Sequence, residues 1–371
     1  MKPLLLILLL SFFIQQTASA QGCVAIRSNG ATCTMMGYHP DNDHSAMQSS
    51  GWNLSVNSRY FRSYKHFVGT KEQHERVENG TEVINHFTSV EFGLTRQLNN
   101  RWSLAFYAPI INNIRSSMYE HYGNTSKSPR ARNTTRSFGL GDVRLAAYYW
   151  VADPAKASKA NLQLGAGIKL PTGDYRVQDY FYRNDSTKVL GFVDQSIQLG
   201  DGGTGLTLEA NTFLNLSRHT SLYANGFYLF NPREHNGINT ARGGTPSPAQ
   251  IAYGSDVMSV PDQFMARIGA SYTKGAWSLS GGFRIEGLPA EDVFGGSNGF
   301  RRPGYVIAAE PVAVYRVKYT QFYLSVPVAL ERNRIQSVPD KIRTEKSGTY
   351  FKGDAAFADY SINFGVAFAL K

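Results

Sequence analysis

The segment GLTLEANTFLNLSRHTSLYANGFYLF, residues 205 to 230, decides the fold. Leu206, Leu208, Ala210, Thr212, Leu214 and Leu216 alternate with Thr207, Glu209, Asn211, Phe213 and Asn215. After a polar break, Ser217-Arg218-His219, the alternation resumes: Leu222, Ala224, Gly226, Tyr228 and Phe230 against Tyr223, Asn225, Phe227 and Leu229. A period of two is the signature of a strand whose faces meet different surroundings. Two such runs around a tight polar break form a β-hairpin. One face is aliphatic and aromatic; the other carries Glu209, Asn211, Asn215 and Asn225.

The unit recurs on both sides. Upstream, Trp52, Leu54, Val56 and Tyr60 oppose Asn53, Ser55, Asn57 and Arg59; Val90, Phe92 and Leu94 oppose Ser89, Glu91 and Thr95. Trp102, Leu104, Phe106, Ala108 and Ile110 share a face; Val143, Leu145, Ala147 and Tyr149 oppose Asp142, Arg144 and Tyr148; Leu162, Leu164, Ala166, Ile168 and Leu170 oppose Asn161, Gln163 and Lys169. Downstream, similar runs carry Phe264 to Tyr272, Trp277 to Ile285, a strand before Val317, Phe322 to Leu330 and Tyr360 to Leu370. The expectation is an all-β chain of about twelve antiparallel strands over residues 51–371. The connections alternate in length. Asn99-Asn100, Ala152-Asp153-Pro154, residues 217–219, Lys274-Gly275 and residues 317–320 are short; residues 69–80, 112–136, 171–204, 231–261, 287–304 and 331–354 are long and polar. Short turns at one end and long loops at the other describe a transmembrane β-barrel with periplasmic turns and external loops. A soluble sandwich predicts no such alternation.

Composition agrees. Among 371 residues, 35 Gly, 21 Tyr and 22 Phe favour strands and turns. A mean hydropathy of -0.30 suits a barrel whose lumen and loops are wet. Beyond the first residues no apolar run approaches the ~20 residues of a spanning helix. Trp52, Trp102, Trp277, Tyr272, Tyr315 and Phe322 fall beside the short turns, as an interfacial girdle requires.

Lys2, the apolar stretch 4–14 and Ala18-Ser19-Ala20 predict a cleaved signal peptide over residues 1–20. Residues 21–50 show no strand period; they enter the lumen as a plug or remain a peripheral tail. In an exported chain Cys23 and Cys33 are expected to form a disulfide, the alternative being two free thiols. His39, Asp41, Asp43 and His44 match no defined metal spacing, so no metal and no cofactor is expected. No outward Ser–His pair at strand spacing supports a lipid-directed hydrolase, and no enzyme activity is expected. The net charge of +10 is spread over loops and lumen, without the aromatic-interleaved patch that nucleic acid needs.

Three Gly-rich motifs, Gly139-Leu140-Gly141-Asp142-Val143, Leu170-Pro171-Thr172-Gly173-Asp174 and Leu199-Gly200-Asp201-Gly202-Gly203-Thr204-Gly205, resemble those of the outer-membrane transporter-like family of the MetA pathway of phenol degradation. That family is distantly similar to the long-chain fatty-acid channels. The resemblance covers about residues 136 to 371. It implies a bacterial outer-membrane channel that passes small, often hydrophobic compounds. The fatty-acid channels' Asn-Pro-Ala hatch motif is missing, which sets fatty acids apart as cargo.

The functional expectation is a channel that passes small solutes, hydrophobic or aromatic ones included, by passive diffusion. The alternative is a structural or surface-interaction barrel with a closed lumen. Expected partners are outer-membrane lipid and lipopolysaccharide, a small-molecule solute and the barrel-assembly machinery. The register puts Arg59, Glu91, Asp142, Arg144, Lys169, Glu209, Arg267, Arg284, Glu286, Glu310 and Arg316 on the non-lipid face as candidate lumen-lining residues. Ionisable groups at membrane depth must meet partners or water. Six cations against five acids predict weak anion preference.

Overall fold

The computed structural model describes residues 51–370. Among them, twelve wall strands close into an antiparallel barrel: β1 (Trp52–Val68), β2 (Ile84–Gln97), β3 (Trp102–Ser117), β4 in two pieces (Asn133–Leu140 and Val143–Trp150), β5 (Ala160–Leu170), β6 (Gly205–Asn215), β7 (Thr220–Phe230), β8 (Gln263–Lys274), β9 (Trp277–Leu288), β10 (Gly304–Val317), β11 in two pieces (Thr320–Ser325 and Val328–Arg334) and β12 (Ala355–Leu370). Each strand pairs with the next, and β1 closes the ring on β12, with Trp52 opposite Leu370. Closure leaves no sheet edge, so every wall amide in the lipid finds a partner. The expected signal peptide over residues 1–20, the 21–50 segment, Cys23, Cys33 and the His39–His44 stretch lie outside the described residues.

The opening hairpin behaves as its period demands. In β6 every second residue is buried, while Leu206 and Leu208 are each 53% exposed. Phe283, Leu324 and Ile268 are likewise exposed on the outside. An exterior of exposed Leu, Ile and Phe, with Arg, Glu and Asn buried within, inverts the order of a soluble protein. It is the order of a barrel in lipid. The girdle is in place at the short-turn end: Trp277 packs tilted against Tyr315 with ring centroids 4.6 Å apart, and Trp102 against Tyr149 at 4.8 Å. At the other margin Tyr60 bonds His86 and Tyr64 donates to Asp359. Trp52 and Tyr60 are eight residues apart on β1, about 27 Å along a strand and less once it tilts, close to the apolar band of an outer-membrane barrel.

Long-loop boundaries differ from the sequence reading. The expected loop at 112–136 is strand at both ends, since β3 runs to Ser117 and β4 starts at Asn133. Above the lipid both wall faces meet water or protein, so the apolar–polar alternation disappears although pairing continues. The expected loops at 69–80 and 331–354 hold helices, His74–Glu78 and Val338–Ser347. The second opens on a Ser337–Asp340 capping box and ends at Gly348 in left-handed conformation, φ 67°. The 171–204 loop contains a hairpin, Gln178–Tyr182 with Lys188–Phe192, and a 3-10 turn at Gln195–Ile197.

The break in β4 has a local cause. Pro109 on β3 has no N–H for its neighbour. The register runs from Ile110↔Leu140 to Tyr107↔Arg144, one residue longer on β4, which is a bulge. It sets Asp142 against the 171–204 loop.

Candidate functional site

Three structures occupy the lumen: a charged layer at mid-height, a loop latched above it, and a basic mouth.

The layer is built by strand register. Arg59 on β1 donates to Glu286 on β9 at 2.6 Å. Along the wall, β10, β11 and β12 lie between these strands, so the pair crosses the lumen. Glu286 also accepts from Arg284, which approaches Glu310 at 3.6 Å. Arg267 meets Glu310 at 3.2 Å, and Ser325 donates to Glu310 at 2.6 Å. On the opposite wall Arg144 pairs with Glu209, which also accepts from the Tyr148 hydroxyl at 2.9 Å. The Arg144 guanidinium sits 4.3 Å over the Tyr107 ring. Gly165 lies between β4 and β6 because any Cβ there would come within 2.7 Å of the Tyr148 ring. Arg59, Arg267, Arg284, Glu286 and Glu310 are each at most 5% exposed. Opposite charges in this buried layer offset their desolvation through close, shared hydrogen bonds, to which the branching at Glu286 and Glu310 contributes.

The latch unites the three Gly-rich motifs. Thr172 donates to the Gly141 carbonyl at 2.8 Å and accepts from the Val143 amide at 2.9 Å. Asp142 accepts from the Gly173 amide at 3.0 Å and the Asp201 amide at 3.3 Å. Lys169 bridges Asp142, at 3.3 Å, and Asp201. Gly173 is required by close approach, since a Cβ would lie 2.7 Å from the Leu199 carbonyl oxygen. Leu199 is thereby pressed into a buried cluster with Phe61, Phe87 and Ile111. Above it, Ile197 accepts hydrogen bonds from Asn113 at 3.3 Å and Ser137 at 2.5 Å. Arg302 grips Asp194 through two bonds, 2.9 and 2.7 Å. Burial pushes the Asp194 carboxyl up, but the Arg115 and Arg302 guanidiniums outweigh it and hold it well below the usual carboxylate range. The loop after β5 thus folds into the barrel.

At the mouth a cavity of about 380 Å³ is lined by His66, Arg115, Arg242, Arg302, Arg334 and Arg343 among others. Smaller cavities lead inward. One of about 60 Å³ shares Arg302 with the mouth; one of about 40 Å³ shares Asp201 and Gln263 with that. The innermost is lined by Glu91, Asp142, Arg144 and Lys169 together with Ile111, Leu199, Phe227 and Leu229.

Of the sequence-derived lumen candidates, Arg59, Arg267, Arg284, Glu286 and Glu310 come together in one network; Arg144 and Glu209 form a second, and Asp142 and Lys169 belong to the latch. Glu91 is buried at the innermost cavity, and Arg316 is half-buried beside a short turn. Sequence reasoning missed Tyr107, Asp194, Asp201 and Arg302, and it placed Tyr148 on the inner face without giving it a role in the site. Asp201 had a signal in its motif; Asp194 and Arg302 lie in loops with no period to place them. No group of three or more His, Cys, Asp or Glu poised for a metal occurs among the described residues.

No protein-family model matches the chain, and no curated protein matches it in sequence. Solved structures do. An outer-membrane channel from Pseudomonas putida F1 is similar at 13% identity, with 86% of this chain and 96% of that one covered and a TM-score of 0.55. The translocator domain of the autotransporter NalP from Neisseria meningitidis is similar at 10% identity, covering 88% and 92%, with a TM-score of 0.45. The toluene transporter TbuX of Ralstonia pickettii is similar at 10% identity, covering 88% and 91%, with a TM-score of 0.39. At such identities the first likeness shows the fold alone, and the lower scores add no argument.

Proposed function

From an outer-membrane barrel of this fold, with an exposed apolar belt and a charged interior, we propose a channel that passes small solutes by passive diffusion. The observation that supports it is the series of cavities from the mouth to mid-height, each sharing lining residues with the next. Even the smallest, about 40 Å³, exceeds the roughly 10–15 Å³ that one water needs. Its lining is amphipathic, mixing Phe227, Leu229 and Ile111 with Arg144 and Lys169. Such a wall suits small hydrophobic or aromatic solutes with a polar end. This is also the cargo class implied by the motif resemblance to the MetA-pathway family.

The second reading, a structural barrel with a closed lumen, is favoured by the Arg59–Glu286 pair that crosses the lumen. Liposome swelling separates them. The channel reading expects neutral, acidic and small aromatic solutes to enter folded-protein liposomes, more slowly as size grows. Liposomes that swell no faster than protein-free ones with every solute would establish the closed barrel.

A further inference from the structure

The cavity at the mouth holds an imbalance of charge. Four of its guanidiniums are deep: Arg115, Arg301, Arg302 and Arg334. Three more, Arg76, Arg242 and Arg343, are partly or fully exposed. Among the described residues five carboxylates answer them. Glu120 meets Arg115 at 2.9 Å and Arg242 at 3.0 Å; Asp194 takes Arg302, with Arg115 at 3.4 Å. Asp292 holds Arg301 at 2.6 Å, Asp340 holds Arg334 at 2.9 Å, and Asp354 takes Arg76 at 3.3 Å. Seven cations against five anions leave two positive charges in excess. Arg343 has no carboxylate partner among the described residues; its guanidinium lies 3.6 Å over the Phe351 ring. The Nε–H groups of Arg76 and Arg334 also have no acceptor among the described residues.

The four deep guanidiniums are not a solvated surface patch. His66, Ala355 and Ala356 of the wall line the same space, so it lies inside the barrel and away from lipid headgroups. A volume of about 380 Å³ falls within the range of small-molecule sites. Arginine's planar fork matches carboxylate and phosphate oxygens, and the bonds are charge-assisted. Tyr253, Phe300 and Phe351 provide apolar walls for the body of such a ligand.

We propose that this cavity is a binding site for a small organic dianion of the carboxylate or phosphate-ester type, drawn from outside before passage. Two negative charges neutralise the excess, the exposed Arg343 fork supplies open donors, and Arg76 adds its charge beside Asp354. The proposal rests on the channel reading for its purpose, but its test does not. Binding to the full-length barrel folded in detergent is measured by calorimetry, independently of conductance. The probes are succinate and glycerol 3-phosphate, with succinamide and glycerol as uncharged controls. Saturable binding of at least one dianion, with none by the controls, is expected; which one binds names the source. Arg343→Gln breaks no ion pair with a carboxylate, so it leaves no buried acid orphaned. It should weaken binding about tenfold, and Arg343→Lys should restore part of it. Adding Arg76→Gln should weaken binding further while the gel mobility of the folded barrel persists. Non-saturable binding of both dianions, equal binding of the controls, or unchanged affinity in Arg343→Gln would overturn the site.

Discussion

Removing one partner of the cross-lumen pair should reveal an asymmetry that only this geometry predicts. Glu286 is fully buried and accepts from both Arg59 and Arg284. Glu286→Gln therefore strips a charge from two guanidiniums at once, and breaking a buried pair in this way costs about 3–5 kcal/mol. Arg59→Ala leaves Glu286 with Arg284, so its cost should be about 1–3 kcal/mol, that of a charged hydrogen bond. A gap of about 2 kcal/mol is roughly a thirtyfold difference in folding equilibrium. The Arg59→Met, Glu286→Met double variant removes both charges. It should recover much of the single Glu286 loss, since Arg284 keeps Glu310. Urea unfolding of vesicle-folded barrels, read by the mobility shift between boiled and unboiled samples, measures all three. Equal costs for the two single variants, or none for either, would refute the shared-acceptor layer.

Other consequences are as direct. Leu208→Arg and Phe283→Arg on the lipid face should each cost about 2–4 kcal/mol by the same assay, whereas Ser280→Arg, half-buried on the inner side, should cost far less. The sequence register alone also implies tolerance of Arg at Asn211. The structure corrects this, because Asn211 is 1% exposed and bonded to Gln163 and Asn225, so Arg there should overpack by about 1–3 kcal/mol. Gly200→Ala would set a Cβ 2.6 Å from the Asp142 carboxylate; the latch should loosen and conductance rise, and an unchanged trace would count against the latch as a constriction. The Asp194 clasp should respond to acid with a definite sign. Its folded pKa is depressed, so its stabilisation is complete above the unfolded value of about 4 and is lost as pH falls toward the folded one. Trypsin nicking of the 171–204 loop in Asp194→Asn at pH 7 should exceed that of the unmodified protein, and identical nicking rates would contradict the clasp.

The wall was legible because lipid and lumen impose opposite demands on successive residues. Leu206, Leu208 and Leu214 against Thr207, Glu209 and Asn211 needed only that contrast, and the girdle Trp and Tyr marked one end of the band. The contrast ends above the lipid. Asn112, Asn113, Arg115 and Ser116 on β3, and Thr134, Thr135, Arg136 and Ser137 on β4, put polar residues on both faces of the wall, so the strand continued where its signal stopped. Partners were illegible for a different reason. Arg59 and Glu286 stand 227 positions apart and meet only because twelve strands close. The period placed each inside, while the pairing belongs to the curvature of the ring. The Gly-rich motifs were visible as motifs, but that Asp142, Gly173 and Asp201 form one latch required the β4 bulge opposite Pro109.

Single-channel recording in planar bilayers tests the central claim most directly. The unmodified barrel should give small discrete conductance steps, with a reversal potential showing weak anion preference, and Arg59→Ala should enlarge the steps. No steps from correctly folded protein, or strong cation selectivity, would contradict a solute path through this charged lumen.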